Sequence, residues 1–536
     1  MDDRLLERGA KLPEEQQNPA YRGPRRLYYR NMATPRTVPP ETRRGWLLTA
    51  AVTAGAFLLR CWHIGQPGTL MFDEAAYAKD AYSMYQFGYQ GTWTGDSLTS
   101  VGSFATHPEV GRWLIGAGEQ LFGMNPVGWR AASLVFGTLL VFLVVRLGRQ
   151  LSGSTLVGAM AGAFVALDGL SFVMSRIAML DVFQTVFIVA GVSAVVADRS
   201  HFRRKLAVLV DGTPGGLAGR PGPFIWRPWL GLAGVLFGLA CATKWNAVYP
   251  LAVFGVAIVV WSATARHDAG AGRATWWSLV KDGGQALAAL VVAGLTYLAT
   301  WTGWLATSGG YDRQWGAAHP ESWVVRHFGT ALGSLWQYHV DIYAWQTGPV
   351  MASLNHPYAT SAWGLPVLLR TIGLYGQTGI EPGTDGCPAD AAETCVRVVT
   401  GLGTPLLWWA AAVAVIVGLV LWVIRRDQRF SVVVLATCAV WLPWVFTTGH
   451  KVFAYYAAPM IPFMAIGLAM LLGRVLTPRS VQGWQALGRA RKVVVMAVIV
   501  YLLAVAGDFF FNYPIYTGQV LTTAHWMWRM WLPGWI

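Results

Sequence analysis

Two neighbouring carboxylates, Asp73 and Glu74, are the residues of this chain with the clearest potential for chemistry. They follow the first long apolar segment, so in a membrane protein they would lie where membrane and water meet. Carboxylates at membrane depth are costly unless paired, which makes them functional candidates. Alternatively, Asp73 only caps a helix that begins near Ala75, since Asp is a favoured N-cap residue. Position alone leaves both interpretations open.

A second polar cluster closes the same loop. His107-Pro108-Glu109 leads into a helix, and Arg112 follows one turn later. Pro108 suits the first turn of a helix. His107 could orient a carboxylate or contact a phosphate oxygen. The alternative is an ordinary loop histidine.

Further charged residues stand where predicted helices reach the same boundary. Arg and Lys are the side chains that bind phosphate, so these residues are candidates for holding a lipid phosphate. Snorkelling or internal salt bridges would equally explain them. Asp181 lies inside the apolar run 177–183, and its short side chain must find a partner there. The basic candidates are Arg130, Arg176, Lys244 and Lys451.

Composition identifies a polytopic membrane protein. Hydrophobic residues make up 54% of the 536 residues and charged residues only 13%, whereas a soluble protein has roughly a quarter charged residues. The net charge of +14 could indicate nucleic acid. Lys and Arg also collect on the cytoplasmic side of membrane proteins, and most of the basic residues here fall in segments of that side. We therefore expect no nucleic-acid partner.

Apolar segments of about 17–25 residues, long enough to span a bilayer, occur about eleven times. We predict an all-α membrane domain (46–511) after a disordered basic cytoplasmic tail (1–45). The charge pattern puts the N-terminus in the cytoplasm, and the C-terminal tail (512–536) and two long loops outside. The predicted spans are about 46–64, 127–147, 152–170, 177–197, 229–243, 246–262, 284–305, 404–424, 431–447, 454–473 and 493–511.

The first long loop (65–126) contains the Asp-Glu pair and two stretches, about 74–87 and 109–122, that look helical and surface-lying. The second long loop (306–402) contains Cys387 and Cys395, which form a disulfide or stay as two thiols. It also concentrates aromatic and imidazole side chains, typical of either a sugar- or acceptor-binding surface or an interfacial belt. These are Trp315, His319, Trp323, His327, Trp336, His339, Trp345 and His356, with Asp341 among them.

No phosphate-binding lysine loop, dinucleotide glycine pattern or zinc-protease motif is present in the sequence. Nucleotide-driven chemistry is therefore not expected. The energy must come from an activated lipid-linked donor or from an ion gradient.

The order Phe72-Asp73-Glu74, His107-Pro108, Arg130, then Ser175-Arg176 with Leu180-Asp181, resembles the protein O-mannosyltransferases. It is most similar to the actinobacterial polyprenyl-phosphate-mannose–protein mannosyltransferases. The match in order and spacing covers about 46–200, and the topology matches over the whole membrane part.

The resemblance implies a GT-C fold in the cell membrane, with the active site on the extracytoplasmic side. It implies transfer of mannose from polyprenyl-phosphate-mannose to Ser or Thr hydroxyls of exported polypeptides, with a link to the secretion translocon. Asp73 would be the base with Glu74 beside it, and Arg130, Arg176 and Lys451 would hold the donor phosphate. His107, Glu109, Arg112 and Asp181 would shape the site. No cofactor or metal is expected, although the Asp-Glu pair could in principle bind one.

The chain departs from the family pattern in three places. Glu109 replaces the second Pro of a His-Pro-Pro motif, and Lys451 stands where Arg is usual. The second long loop is too short for the β-trefoil insert of the eukaryotic members. Two rival functions stay open: a GT-C transferase acting on a glycolipid or cell-wall glycan, and a transporter. Against the transporter, the acids gather at the boundary rather than the midplane, and no inverted repeat is seen.

Overall fold

The computed structural model describes residues 42–211, 216–353, 355–447, 450–476 and 488–536. Almost all of the predicted tail (1–45) therefore lies outside the described residues. The helices are α1 (Arg43–Cys61), α2 (Glu74–Phe87), α3 (Val110–Phe122), α4 (Pro126–Ser152), α5 (Thr155–Ala166), α6 (Gly169–Met174), α7 (Leu180–Asp211), α8 (Pro228–Cys241), α9 (Val248–Arg266), α10 (Thr275–Ala299), α11 (Thr302–Ala306), α12 (Trp315–Ala318), α13 (Trp323–Thr347), α14 (Pro349–Ser353), α15 (Pro405–Val423), α16 (Arg429–Phe446), α17 (Ile461–Leu476), α18 (Arg489–Thr517) and α19 (Thr523–Met527). The strands are β1 (Gly91–Thr94), β2 (Ser97–Gly102), β3 (Ile372–Ile380), β4 (Cys395–Gly401) and β5 (Val520–Thr522).

The long apolar helices make the chain a multi-pass membrane protein. Within the described ranges, six stretches are long and apolar enough to cross a bilayer: α4, α7, α15, α16, α18, and Trp245–Ala299, which holds both α9 and α10. Helices α5, α8 and α17 are apolar but shorter. Each of the eleven predicted spans overlaps one of these helices or α1. The number of crossings stays a prediction.

Several helix ends differ from the predicted spans. The predicted span 152–170 ends as α5 at Ala166, because Asp168 accepts the Ser171 N–H at 2.8 Å and starts the separate helix α6. Helix α7 continues well beyond residue 197. Helix α18 runs to Thr517, so the predicted C-terminal tail (512–536) begins inside a helix.

The two helices expected in the first long loop are present as α2 and α3. Helix α3 packs closely on α4, because a Cβ on Gly118 would lie only 2.4 Å from the carbonyl oxygen of Gly128. The Nε atom of Arg112 on α3 donates to Oδ2 of Asp80 on α2 at 2.8 Å. These contacts hold the loop that carries Asp73 and Glu74 against the membrane helices.

The prediction of an all-α fold needs correction in the two long loops. Strands β1 and β2 pair as a hairpin in the first long loop. Strands β3, β4 and β5 form an antiparallel sheet in which β5, from the C-terminal segment, pairs with β4. Outside the bilayer, backbone groups need no helix to be satisfied, so strand pairing is open to these segments. Cys387 and Cys395 form a disulfide at the start of the central strand β4.

Candidate active site

Glu74 is fully buried and anchors the first long loop. Its Oε1 atom accepts from Nε of Arg130 at 2.8 Å and from the N–H of Ala178 at 2.9 Å. Its Oε2 atom accepts from Nη2 of Arg130 and from the N–H of Met71, both at 2.9 Å. With four hydrogen bonds, the carboxylate has no free acceptor direction. This differs from the expectation that Glu74 takes part in the chemistry beside Asp73.

Arg130 is also fully buried, and it uses all five of its N–H groups inside the protein. Besides the two bonds to Glu74, Nη1 donates to the carbonyls of Ile64 and Pro67 at 3.1 and 2.8 Å. Nη2 donates to the carbonyl of Thr69 at 3.0 Å. The expected role of Arg130 as a phosphate ligand does not fit this geometry, because no donor is left for a phosphate.

Arg176 closes the end of α1. Its Nη1 atom donates to the carbonyls of Arg60 and Trp62, both at 2.5 Å, and Nη2 donates to the carbonyl of His63 at 2.9 Å. A guanidinium beside the last carbonyls of a helix complements the negative end of its dipole. The position therefore supports a structural role for Arg176 rather than the expected contact with a donor phosphate.

Asp73 lies in a tight turn just before α2. The N–H of Glu74 donates to the carbonyl of Met71 at 2.8 Å, so Phe72 and Asp73 are the two central residues of the turn. Phe72 has a φ of 47°. For a bulky residue this left-handed conformation costs roughly 1–3 kcal/mol, so the surroundings must hold it. The Asp73 side chain makes no capping hydrogen bond to α2, which leaves its carboxylate available.

The electrostatic surroundings of Asp73 suit a base. Burial raises the pKa of the half-buried Asp73 to about 6, although the Lys244 ammonium and a hydrogen bond from Tyr77 act in the opposite direction. Asp181 raises the pKa further, and Arg112 lowers it. A carboxylate with a pKa near the working pH accepts a proton more effectively than an ordinary Asp while staying mostly ionised at neutral pH.

Asp181 has the internal partner that its apolar surroundings required. The Nζ atom of Lys244 donates to its Oδ1 and Oδ2 at 2.9 and 2.8 Å. The ammonium also lies 5.2 Å from the ring centre of Tyr455 and 5.5 Å from that of Tyr456. Lys244, which was a candidate for binding lipid phosphate, therefore pairs with Asp181. The two residues form the charged wall of the site, beside Asp73.

At the end of the first long loop, the side chains of His107 and Glu109 are neutral near pH 7. Burial holds the pKa of His107 well below its usual range, helped by the Lys244 and Arg112 cations. Burial also raises the pKa of Glu109 to about 8, against a hydrogen bond from Trp113 Nε1 at 3.2 Å. Because Glu109 is neutral, its presence where the family has a proline adds no negative charge to the site. Arg112 Nη1 donates to the His107 carbonyl at 2.7 Å, so Arg112 fixes this corner.

The segment around Lys451 approaches the same site. Lys451 is half-buried and forms no ion pair with any described residue. The next residue, Val452, accepts the N–H of Thr360 at 2.8 Å, which ties this segment to the second long loop. His356 of that loop stands edge-on to Phe72, with ring centres 6.4 Å apart. Among the histidines of the second long loop, His356 is therefore placed beside the turn that carries Asp73.

The sequence analysis did not single out two residues that the fold brings to Asp73: Tyr77 and Tyr455. Tyr77 is one helical turn after Asp73, a spacing that could have identified it as a hydrogen-bond partner. Tyr455 reaches the site only through tertiary packing. Within the described ranges, no group of three or more His, Cys, Asp or Glu side chains has the geometry of a metal site.

The fold is that of the GT-C glycosyltransferases. The yeast protein O-mannosyltransferase Pmt1–Pmt2 complex bound to the sugar donor has a similar fold, with a TM-score of 0.68 and 14% identity over 95% of this chain and 94% of that one. ArnT from Cupriavidus metallidurans in the apo state gives a TM-score of 0.50 and 14% identity over 88% of this chain and 76% of that one. At such identity the likeness shows the fold alone.

Sequence comparison identifies the family. Residues 50–302 match the model for dolichyl-phosphate-mannose-protein mannosyltransferase, and residues 331–535 match that for the C-terminal four-TMM region of protein-O-mannosyltransferase. The polyprenol-phosphate-mannose–protein mannosyltransferase of Mycobacterium tuberculosis is 34% identical over 93% of both chains. That of Corynebacterium glutamicum is 30% identical over 87% of this chain and 88% of its own. The chain belongs to the protein O-mannosyltransferase family, as the sequence motifs predicted.

Proposed function

We propose that this protein transfers mannose from polyprenyl-phosphate-mannose to Ser or Thr hydroxyls of exported polypeptides, with Asp73 as the general base. The observation that carries the proposal is the contrast between two adjacent carboxylates. Glu74 is saturated by hydrogen bonds, whereas Asp73 has no capping bond and faces Lys244 and Tyr77. Family membership supports the donor and acceptor classes.

The reaction is a single displacement at the anomeric carbon of mannose. The acceptor hydroxyl loses its proton to Asp73 as its oxygen forms the new bond to the sugar. The bond between the anomeric carbon and the phosphate oxygen breaks, and polyprenyl phosphate leaves. One displacement inverts the configuration, from a β-linked donor to an α-linked product. The proton then passes from Asp73 to solvent or to the leaving phosphate.

Lys451 is the residue we propose for the donor phosphate, in place of Arg130 and Arg176. A leaving phosphate needs a cation where negative charge develops. Arg130 has no N–H group left to donate, and Arg176 donates to three carbonyls at the end of α1. Lys451 has no ion-pair partner among the described residues and lies four residues before Tyr455, whose ring contacts Phe72 of the catalytic turn.

We propose that catalysis needs no metal ion. The carboxylates nearest to Asp73 are already neutralised, Glu74 by Arg130 and Asp181 by Lys244. Asp73 alone would be a poor ligand set for Mg²⁺ or Mn²⁺, which are bound through several oxygens. Transfer should therefore continue in a chelator such as EDTA.

The proposed orientation puts eleven crossings in the membrane, the N-terminus in the cytoplasm and the catalytic turn outside. The distribution of Lys and Arg supports it. At the opposite helix ends, Asp198 pairs with Arg227, and Arg266 pairs with Asp282. An outward site would reach exported chains before they fold, so the translocon is a candidate partner. Accessibility of single introduced cysteines to an impermeant reagent would test the orientation.

The direct test is mannose transfer in membranes, with radiolabelled polyprenyl-phosphate-mannose and a Ser/Thr-rich peptide. Wild type is compared with Asp73→Asn and with Asp96→Asn, a control that removes a fully exposed carboxylate of the same loop. We expect label in the peptide from wild type and the control, and a loss of about 10²–10⁴-fold in Asp73→Asn. Label in glycolipid or glycan alone would instead establish the rival acceptor class. Near-normal transfer by Asp73→Asn would remove Asp73 as the base.

A further inference from the structure

Four rings from three separate segments close around the catalytic turn. Phe72 comes from the first long loop, His356 from the second long loop, and Phe453 and Tyr455 from the segment before α17. Phe72 lies edge-on to His356 at 6.4 Å and to Tyr455 at 6.1 Å. Phe453 closes the circuit, with ring centres 5.0 Å from His356 and 5.7 Å from Tyr455. We call these residues the ring quartet.

We propose that the ring quartet is the device that positions Asp73 and makes its position depend on docking of the second long loop. The inference rests on the proposed function, in which Asp73 is the base. It assigns positioning roles to Phe72, His356 and Phe453, none of which needs to touch the reacting atoms.

Glu74 and Arg130 hold the two ends of the turn. Glu74 accepts the N–H of Met71, and Arg130 donates to Glu74 and to the carbonyl of Thr69. Between these ends, Phe72 has a left-handed backbone, and its side chain has no hydrogen-bonding group. Ring contacts with His356 and Tyr455 restrain that side chain. A polar anchor therefore fixes the ends of the turn, and an aromatic anchor fixes the residue before Asp73.

His356 is oriented by its own loop. Its Nδ1 atom accepts the backbone N–H of Tyr358 at 3.2 Å, so the ring direction follows the backbone of the second long loop. The hydrogen bond from the Thr360 N–H to the Val452 carbonyl holds this loop beside the segment of Phe453. Displacing the second long loop would remove two ring contacts of the quartet together, those of His356 with Phe72 and with Phe453.

The quartet also reaches the charged wall of the site through Tyr455. The ring of Tyr455 lies 5.2 Å from Nζ of Lys244, the ammonium that binds Asp181 and faces Asp73. Movement of the quartet would therefore change both the place of Asp73 and the charge that it faces. An acceptor polypeptide that holds the second long loop in this position would stabilise the catalytic geometry as it binds.

The test compares variants that remove or keep each ring. We expect Phe72→Ala and His356→Ala to lower kcat by about 10- to 100-fold with little change in the KM for donor, because a base displaced by about 1 Å loses about that much rate. Phe72→Tyr keeps its ring and should stay within about threefold of wild type. His356→Phe keeps the ring but loses the acceptor for the Tyr358 N–H, so its kcat should fall between those of wild type and His356→Ala. Phe224→Ala, which removes an exposed ring in a distant segment, should change neither constant.

A second measurement separates positioning from general loss of structure. The titratable groups that face Asp73 are Tyr77, Arg112, Asp181, Lys244, Tyr455 and Tyr456. None is altered in Phe72→Ala, but removing the ring admits water, so the acidic limb of its pH–rate profile should move to lower pH. Unfolded protein would lower the amplitude without moving the limb. The double variant of Phe72→Ala and His356→Ala should lose less than the product of the single losses, since both break one cluster.

Two results would overturn the inference while leaving the proposed base in place. The first is a near-normal kcat in Phe72→Ala while Asp73→Asn is inactive. The second is an equal loss in His356→Phe and His356→Ala, which would show that the imidazole nitrogens, and not the packing of the ring, account for the effect. An active Asp73→Asn would instead overturn the proposed base, and this inference with it.

Discussion

Because Glu74 and Asp73 have different roles, replacing each carboxylate by an amide should have different consequences. Glu74→Gln should damage the fold, whereas Asp73→Asn should leave the fold and remove the chemistry. In Glu74→Gln, whichever way the amide turns, its NH₂ group faces N–H donors of Arg130 and a backbone amide. Both hydrogen bonds on that side are lost.

The size of the effect follows from burial. Glu74 and Arg130 are both fully buried, and the other three acceptors of Arg130 are neutral carbonyls. Removing the carboxylate charge leaves a buried guanidinium without a counter-charge. Breaking one partner of such a pair typically costs about 3–5 kcal/mol of unfolding free energy. That is a large part of the about 5–15 kcal/mol that stabilises a typical protein.

Asp73→Asn should behave differently on both measures. Its side chain is half-buried and caps nothing, and burial already raises the pKa of Asp73, so a neutral amide is well tolerated there. We expect the unfolding free energy to change by no more than about 1 kcal/mol. The rate should fall by about 10²–10⁴-fold, because an amide cannot take the acceptor proton.

The assay measures thermal unfolding of detergent-solubilised protein by tryptophan fluorescence, and mannose transfer normalised to folded protein. Asp96→Asn is the matched control for each measurement. A Glu74→Gln protein as stable as wild type but catalytically dead would refute the reasoning. So would an Asp73→Asn protein destabilised as strongly as Glu74→Gln.

Three further outcomes follow from the site. Because the pKa of Asp73 is about 6 and the base must be ionised, kcat/KM should fall as the pH drops through about 6 and level off above it; a flat profile from pH 5 to 8 would contradict this. Lys244→Met strands Asp181 without its cation and should cost about 3–5 kcal/mol of stability, and adding Asp181→Asn should restore part of it if the pairing is correct. Reducing the bond between Cys387 and Cys395 should loosen the sheet of the second long loop while transfer by the intact membrane site continues; complete loss of transfer would argue that the sheet supports the site directly.

The amino-acid sequence was sufficient to predict the class of protein and the position of the site in the chain. Long apolar segments require helices in a bilayer, because the backbone must satisfy its own hydrogen bonds there. The local patterns also located α2 and α3, and the Asp73-Glu74 motif placed the candidate site before α2. The need for a partner at Asp181 followed from a short charged side chain in an apolar run. These are local properties, readable within one helix or one loop.

The choice between Asp73 and Glu74 as the available carboxylate, in contrast, depends on the tertiary structure. Glu74 meets Arg130 and Ala178, which are 56 and 104 positions away, and no local pattern encodes such pairings. The same holds for Lys244, which lies 63 positions from Asp181.

The aromatic anchor of the turn likewise depends on packing. Phe72, His356 and Phe453 are separated by hundreds of residues or by whole loops, and any of them alone reads as an ordinary aromatic side chain. Charge and shape complementarity between distant segments sets these contacts, so residue types indicated the chemistry while the fold assigned each residue its role.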